Sequence, residues 1–133
     1  PPTQAELQSL REHARNTLGA KPSPASCPLV CVGGTATTAA AMVQRLKTYD
    51  HAKIHGCRGA KTQWEETLNT LEKLPAARRT GIPGLQKGRE DIIVAGLLVL
   101  NAFAEHLGVE EITVSDRGVL YGILVEYLNE MMA

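Results

Sequence analysis

Aromatic residues are scarce: one tryptophan, one phenylalanine and three tyrosines in 133 residues. Leu, Ile, Val and Ala must therefore fill any core, and the 44% of hydrophobic residues is enough for one. An excess of either charge is also lacking. Lys plus Arg number 14 and so do Asp plus Glu, which removes any general pull toward nucleic acid or an acidic membrane surface. The cysteines are three, Cys27, Cys31 and Cys57. An odd number without a secretory pattern argues against a disulfide framework and for reduced thiols in a cytoplasmic protein. The longest apolar stretch, Ile92 to Ala104, contains Asn101. It is too short for a bilayer, suits a buried core helix, and leads us to expect a soluble protein. Pro1 follows no methionine and opens no leader pattern, so the sequence reads as starting at a cut. Its length suits a single domain, 1–133, or one lobe of a larger one.

The periodicity predicts a helix over 3–18, with Leu7, Leu10, Ala14 and Leu18 on one face, Thr3 and Glu6 as a capping box and Gly19 as its stop. Residues 21–26, with two prolines, read as a loop. Residues 28–32 are wholly apolar and read as a strand covered on both faces, as in parallel sheets. A helix over 37–47 follows the Gly33-Gly34-Thr35 turn. Residues 49–61 lack a period and read as a surface loop. Another helix starts at Thr62, capped with Glu65, and carries a stripe of Trp64, Leu68, Leu71 and Leu74. Pro75 begins a short turn ending near Gly81. The most apolar helix, 89–107, is expected at the centre, with Gly108 as its stop. Residues 111–114 give the second convincing strand, and a last helix runs to about Met131. Two strands make a poor sheet alone, so a missing N-terminal part or another chain is expected to complete it.

Four features could carry chemistry. Gly33-Gly34 joins a strand to a helix, a place where free backbone N–H groups and the helix dipole receive anions. Thr35, Thr37 and Thr38 add hydroxyl donors, although a tight structural turn fits the same pattern. Ser115-Asp116-Arg117-Gly118 leaves the second strand in the same way, with Asp116 as a helix cap and Arg117 as an anion partner; both turns are expected to face one crevice. The basic residues Lys53, His55, Arg58 and Lys61, with Arg78, Arg79, Lys87 and Arg89, could line a polyanion path. His51, His55 and Cys57 are close in sequence, but no second cluster completes a metal site. No nucleophile pairs with a base, so no residue is assigned a catalytic role and none a metal.

Together these motifs resemble one family. Val32-Gly33-Gly34-Thr35-Ala36-Thr37, Tyr49-Asp50 followed by Ile54-His55-Gly56, Ile82-Pro83-Gly84-Leu85, the segment from Gly88 to Gly96, and Val114-Ser115-Asp116-Arg117-Gly118 are similar, in order and spacing, to the C-terminal half of the exopolyphosphatase / guanosine pentaphosphate phosphohydrolase (Ppx/GppA) phosphatases. The resemblance covers roughly residues 1–130. It implies an α/β fold: the C-terminal lobe of an actin-like (ribonuclease H-like) ATPase, a short sheet with several packed helices. It implies release of terminal phosphate from inorganic polyphosphate or guanosine pentaphosphate, with Mg²⁺ in the complete enzyme and none bound by this part. The base and the first phosphate loops lie in the N-terminal lobe and at the start of the C-terminal one, and their motifs are missing here. By analogy this chain contributes Gly33, Gly34, Thr35, Thr37 and Arg117 to phosphate binding, and Lys53, His55, Arg58 and Arg89 to the polyanion path. One departure stands out. The family's usual leucine–arginine–glutamate–glycine after Arg117-Gly118 is Val119-Leu120-Tyr121-Gly122 here.

Three functions follow: a lobe of a phosphoanhydride hydrolase, inactive alone; a regulatory module of the same fold that binds polyphosphate or a nucleotide without cleaving it; and an interaction module that forms a homodimer through exposed Leu97, Leu98 or Tyr121.

Overall fold

The computed structural model describes residues 1–20 and 28–132. The expected loop at 21–26 and Cys27 lie outside the described residues. Helix α1 (Gln4–Leu18) begins as expected: Thr3 and Glu6 form a reciprocal capping box, and Gly19 closes it. Strand β1 (Leu29–Val32) leads into α2 (Gly34–Val43). After α5 (Ile93–Leu107), Gly108 takes the left-handed conformation (φ 69°) that ends helices, and β3 (Glu111–Ser115) and α6 (Val119–Met132) follow.

Several expectations are corrected. The segment 49–61 is not a surface loop. Asp50 caps a short helix, α3 (His51–Ile54), by accepting from the Ala52 N–H, and β2 (Arg58–Ala60) follows. The sheet therefore has three strands, in the order β1-β3-β2, with β1 parallel and β2 antiparallel to β3. Helix α4 (Lys61–Leu71) starts before Thr62; Gln63 Oε1, not Glu65, reaches back to a cap N–H, that of Ala60. Helix α5 starts at Ile93 rather than 89, since turns about Gly88 use up residues 86–92. Strand β1 is not covered on both faces: Cys31 is buried, but Val30 and Val32 are 51% and 53% exposed.

The core gathers Leu7, Cys31, Met42, Ile54, Trp64, Leu68, Leu71, Ile93, Leu97, Ile112 and Val114. Helix α5 packs on α1, α2 and α4. Leu97 and Leu98 are 0% and 1% exposed, so neither belongs to a free dimer surface. Helix α6 is the opposite case. None of its residues is buried, and it presents Leu120, Tyr121, Ile123, Leu124, Tyr127 and Leu128 to the outside. Among the described residues no helix is long and apolar enough to cross a membrane.

Two details fix the loop before α5. Arg79, 3% exposed, donates to the carbonyls of Leu71 (3.2 Å), Leu74 (2.7 Å) and Glu90 (2.5 Å). It satisfies carbonyls at the end of α4 and does not line a surface path. Gly84 has φ +86°, and a Cβ there would lie 2.3 Å from the Ala41 carbonyl carbon. The Pro83-Gly84 turn thus lies flush on the backbone of α2.

Candidate anion-binding wall

Parallel pairing sets the position of the two turns. Val32 of β1 lies level with Ser115 of β3, so the turns at Gly33 and at Asp116 leave one edge of the sheet. The hairpin from α3 to β2 joins them there, since the Gly56 N–H donates to the Val114 carbonyl (2.8 Å).

The start of α2 is open. Its N-cap Gly33 (φ 89°) offers no side chain, and the first helical bond is Thr37 N–H to Gly33 O (3.1 Å). The N–H groups of Gly34, Thr35 and Ala36 thus have no acceptor within the helix. The Arg89 guanidinium lies directly over this turn: a Cβ on Gly34 would be 2.0 Å from its Nη2. Arg89 Nε donates to Gln86 Oε1 (2.9 Å), which holds the side chain in place. Thr35 rests against Gly96 of α5. Thr37 is buried and its hydroxyl is 3.4 Å from the Gly34 carbonyl; Thr38 is fully buried with an unpartnered Oγ1. The two hydroxyls therefore point into the fold.

At the second turn Asp116 is not the expected cap of α6, which starts at Val119; its carboxylate is engaged elsewhere. One carboxylate oxygen accepts from the Tyr49 hydroxyl (2.6 Å) and the other from His51 Nδ1. Burial pushes this carboxyl up, but the Tyr49 and His51 hydrogen bonds and the nearby His55 outweigh it and hold it below its ordinary value. Burial, and then Asp116, push the Tyr49 phenol up, while Thr37 and Arg89 oppose them. Tyr49 thus stands between the two turns. Ser115 Oγ accepts from the Arg117 N–H (3.1 Å) and lies 3.3 Å from His55 Nδ1. The Arg117 guanidinium is exposed and sits 5.6 Å from the centroid of the Tyr121 ring.

The wall therefore brings together Gly33, Gly34, Thr35 and Arg89 at one turn, and His55 and Arg117 at the other; Thr37, expected as a hydroxyl donor, lies buried behind the first turn. Lys53 is on α3 and pairs with Asp50 (3.4 Å). Arg58 reaches Glu111 (3.5 Å), toward the amino end of β3 and away from this edge. Sequence reasoning missed Tyr49, His51 and Tyr121 as parts of the wall. Tyr49 and Asp116 are 67 residues apart, and no local pattern announces such a pair. Cys31 and Cys57 are free thiols that burial pushes up, which disfavours a nucleophilic role. Among the described residues no three His, Cys, Asp or Glu side chains are gathered as for a metal ion. Both oxygens of Asp116 are engaged. These residues do not fit a magnesium site by themselves.

Known proteins share this fold. The model of the Ppx/GppA phosphatase family matches residues 1–131. Exopolyphosphatase 2 of Mycobacterium tuberculosis is 31% identical over 133 positions, covering 92% of this chain and 41% of that protein. The crystal structure of the Aquifex aeolicus member of the Ppx/GppA family superposes with a TM-score of 0.89 at 28% identity, over 98% of this chain and 43% of that one. An exopolyphosphatase from Cytophaga hutchinsonii shares the fold, with a TM-score of 0.77 at 18% identity, over 98% of this chain and 44% of that one. The small mixed sheet with its packed helices is thus an α/β lobe of the actin-like kind. The chain spans about two fifths of the length of the relatives it matches. Its motifs, its sheet order and these matches agree that the chain belongs to the Ppx/GppA phosphatase family.

Proposed function

We propose that this chain is the phosphate-gripping C-terminal lobe of a cytoplasmic hydrolase that releases terminal phosphate from inorganic polyphosphate or guanosine pentaphosphate. One observation carries the proposal: Arg89 lies over Gly34 at a helix start that no side chain caps. Three free N–H groups and a guanidinium converge there, the equipment that phosphoryl transfer uses for positioning and charge neutralisation. Gly33, Gly34 and Thr35 meet the terminal phosphate, Thr37 braces the turn from within, and Arg117 and His55 continue the wall along the chain. Lys53 serves the polyanion only by leaving its ion pair with Asp50, and Arg58, away from this edge, takes no part. The base that activates water comes from the polypeptide that precedes this chain, as does the carboxylate that holds Mg²⁺.

Phosphate release from both substrates is the test, assayed with this chain alone and with the full-length protein. Turnover is expected only for the full-length protein. Full activity of the isolated chain overturns the proposal.

The ring of Tyr121 beside Arg117 favours a second function, a module that binds but does not cleave. Calorimetry on the full-length protein separates the two, since a pure binder gives a binding isotherm and no released phosphate.

A further inference from the structure

Asn101 interrupts the most apolar stretch of the sequence, and the wall makes no use of it. It lies within α5 and is 9% exposed, yet neither its Nδ2 nor its Oδ1 has a hydrogen-bond partner among the described residues. A buried amide in that state is unfavourable and calls for a partner. It has two N–H donors and a carbonyl acceptor to offer.

Helical spacing places a cavity beside it. Leu98, Asn101, Ala102 and Glu105 recur three or four residues apart along α5 and so share one face. Arg11 and Arg15 do the same on α1, as do Glu65, Leu68 and Asn69 on α4. These three faces line a cavity of about 220 Å³. Sites for drug-sized ligands start at about 300 Å³, so this one suits a single small ring. It shares no residue with the anion-binding wall.

Charge narrows the class of ligand. Arg11 pairs with Glu72 (3.2 Å), Arg15 with Glu105 (3.1 Å) and Glu65 with Lys61 (3.7 Å). Every charged side chain lining the cavity thus already has an opposite charge, and neither an anion nor a cation is favoured. The unmet requirement is the donor and acceptor of Asn101. A planar group with an acceptor beside a donor meets both at once, as the N6–N7 edge of adenine does for an asparagine. Leu68, Leu98 and Ala102 offer apolar surface to such a ring.

We infer that this cavity binds a small uncharged ligand by a planar edge carrying a donor beside an acceptor, that of a nucleobase or a carboxamide, with Asn101 as the recognition residue. The Arg15–Glu105 pair joins α1 to α5 with side chains 56% and 58% exposed. A pair so exposed contributes little, and it is the part of the lining that yields as the ligand enters. The site goes beyond the function proposed above and stands whether or not the wall holds phosphate.

The test titrates the full-length protein with adenine and with nicotinamide, and follows the side-chain amide signals of Asn101 by NMR. A saturable shift is expected with at least one probe. A response to adenine alone assigns a nucleobase, and a response to nicotinamide alone a carboxamide. Asn101→Leu removes the unpaired amide at similar volume. It should keep the melting temperature and weaken binding at least about tenfold, as for the loss of paired hydrogen bonds. The wild-type titration decides by itself if that variant does not fold. Signals that answer neither probe mean that ordered water alone satisfies the amide, and they overturn the site. So does wild-type affinity in Asn101→Leu. A shift with inorganic phosphate and with neither probe also overturns it, because the cavity would then select charge.

Discussion

The guanidinium of Arg89 occupies the space that any side chain on residue 34 would need. The obstructing atoms are the far end of a flexible side chain, and residue 34 is not among the positive-φ glycines. Gly34→Ala should therefore cost little stability, within about 1 kcal/mol, while displacing the guanidinium from the turn. Pyrophosphate affinity of the full-length protein should fall about tenfold with the melting temperature nearly unchanged. Calorimetry and a thermal melt on the same sample check this.

Gly84 gives the contrasting case. Its φ is +86° and its neighbour is backbone, with Ala41 C and Met42 N both 2.3 Å from an added Cβ. Neither can step aside without moving α2. Gly84→Ala should destabilise by at least about 3 kcal/mol, seen as a lower denaturant midpoint.

Arg79 is a structural residue, and its planar fork serves three carbonyls. Arg79→Met should leave those acceptors unpaired and cost about 3 kcal/mol or more. Arg79→Lys should recover only part of it, because an ammonium cannot reach all three from one position. Urea unfolding of the two variants ranks them.

Asp116 should tie stability to acidity. Its folded-state pKa is lowered, so its contribution is complete above the unfolded carboxyl range near about 3.9 and is lost as pH falls through the lower folded value. Asp116→Asn should lower stability at neutral pH by about 1 to 2 kcal/mol and flatten the fall in acid. Denaturant unfolding of wild type and variant across that range decides; parallel curves would count against the carboxylate.

Helix α6 buries none of its residues. Leu124→Lys and Leu128→Lys should change the stability of the isolated chain by no more than about 0.5 kcal/mol while reducing its self-association in sedimentation. A large loss of stability would mean that α6 already packs on this lobe.

Local chemistry was the legible part of the sequence. The Thr3–Glu6 box, the Gly108 stop and the strand expected over 111–114 depend on neighbours a few residues apart, and all three are present, the strand running one residue further to Ser115. Strand β2 was not legible. It has three residues, Gly59 at its middle and no alternation, and only pairing with β3 makes it a strand. The apolar run of β1 suggested two covered faces, yet apolarity does not tell a neighbour that is present from one that is not. At the wall, the two turns follow from parallel strands. Arg89 over Gly34, and Tyr49 with His51 on Asp116, join segments distant along the chain and become visible only in three dimensions.

The double attachment of Asp116 has a mechanical consequence. Tyr49 and His51 precede β2, and Asp116 follows β3; a single pair of oxygens fastens one segment to the other. A pull on either loop is passed to its neighbour as strain, so the two loops are mechanically linked through one carboxylate.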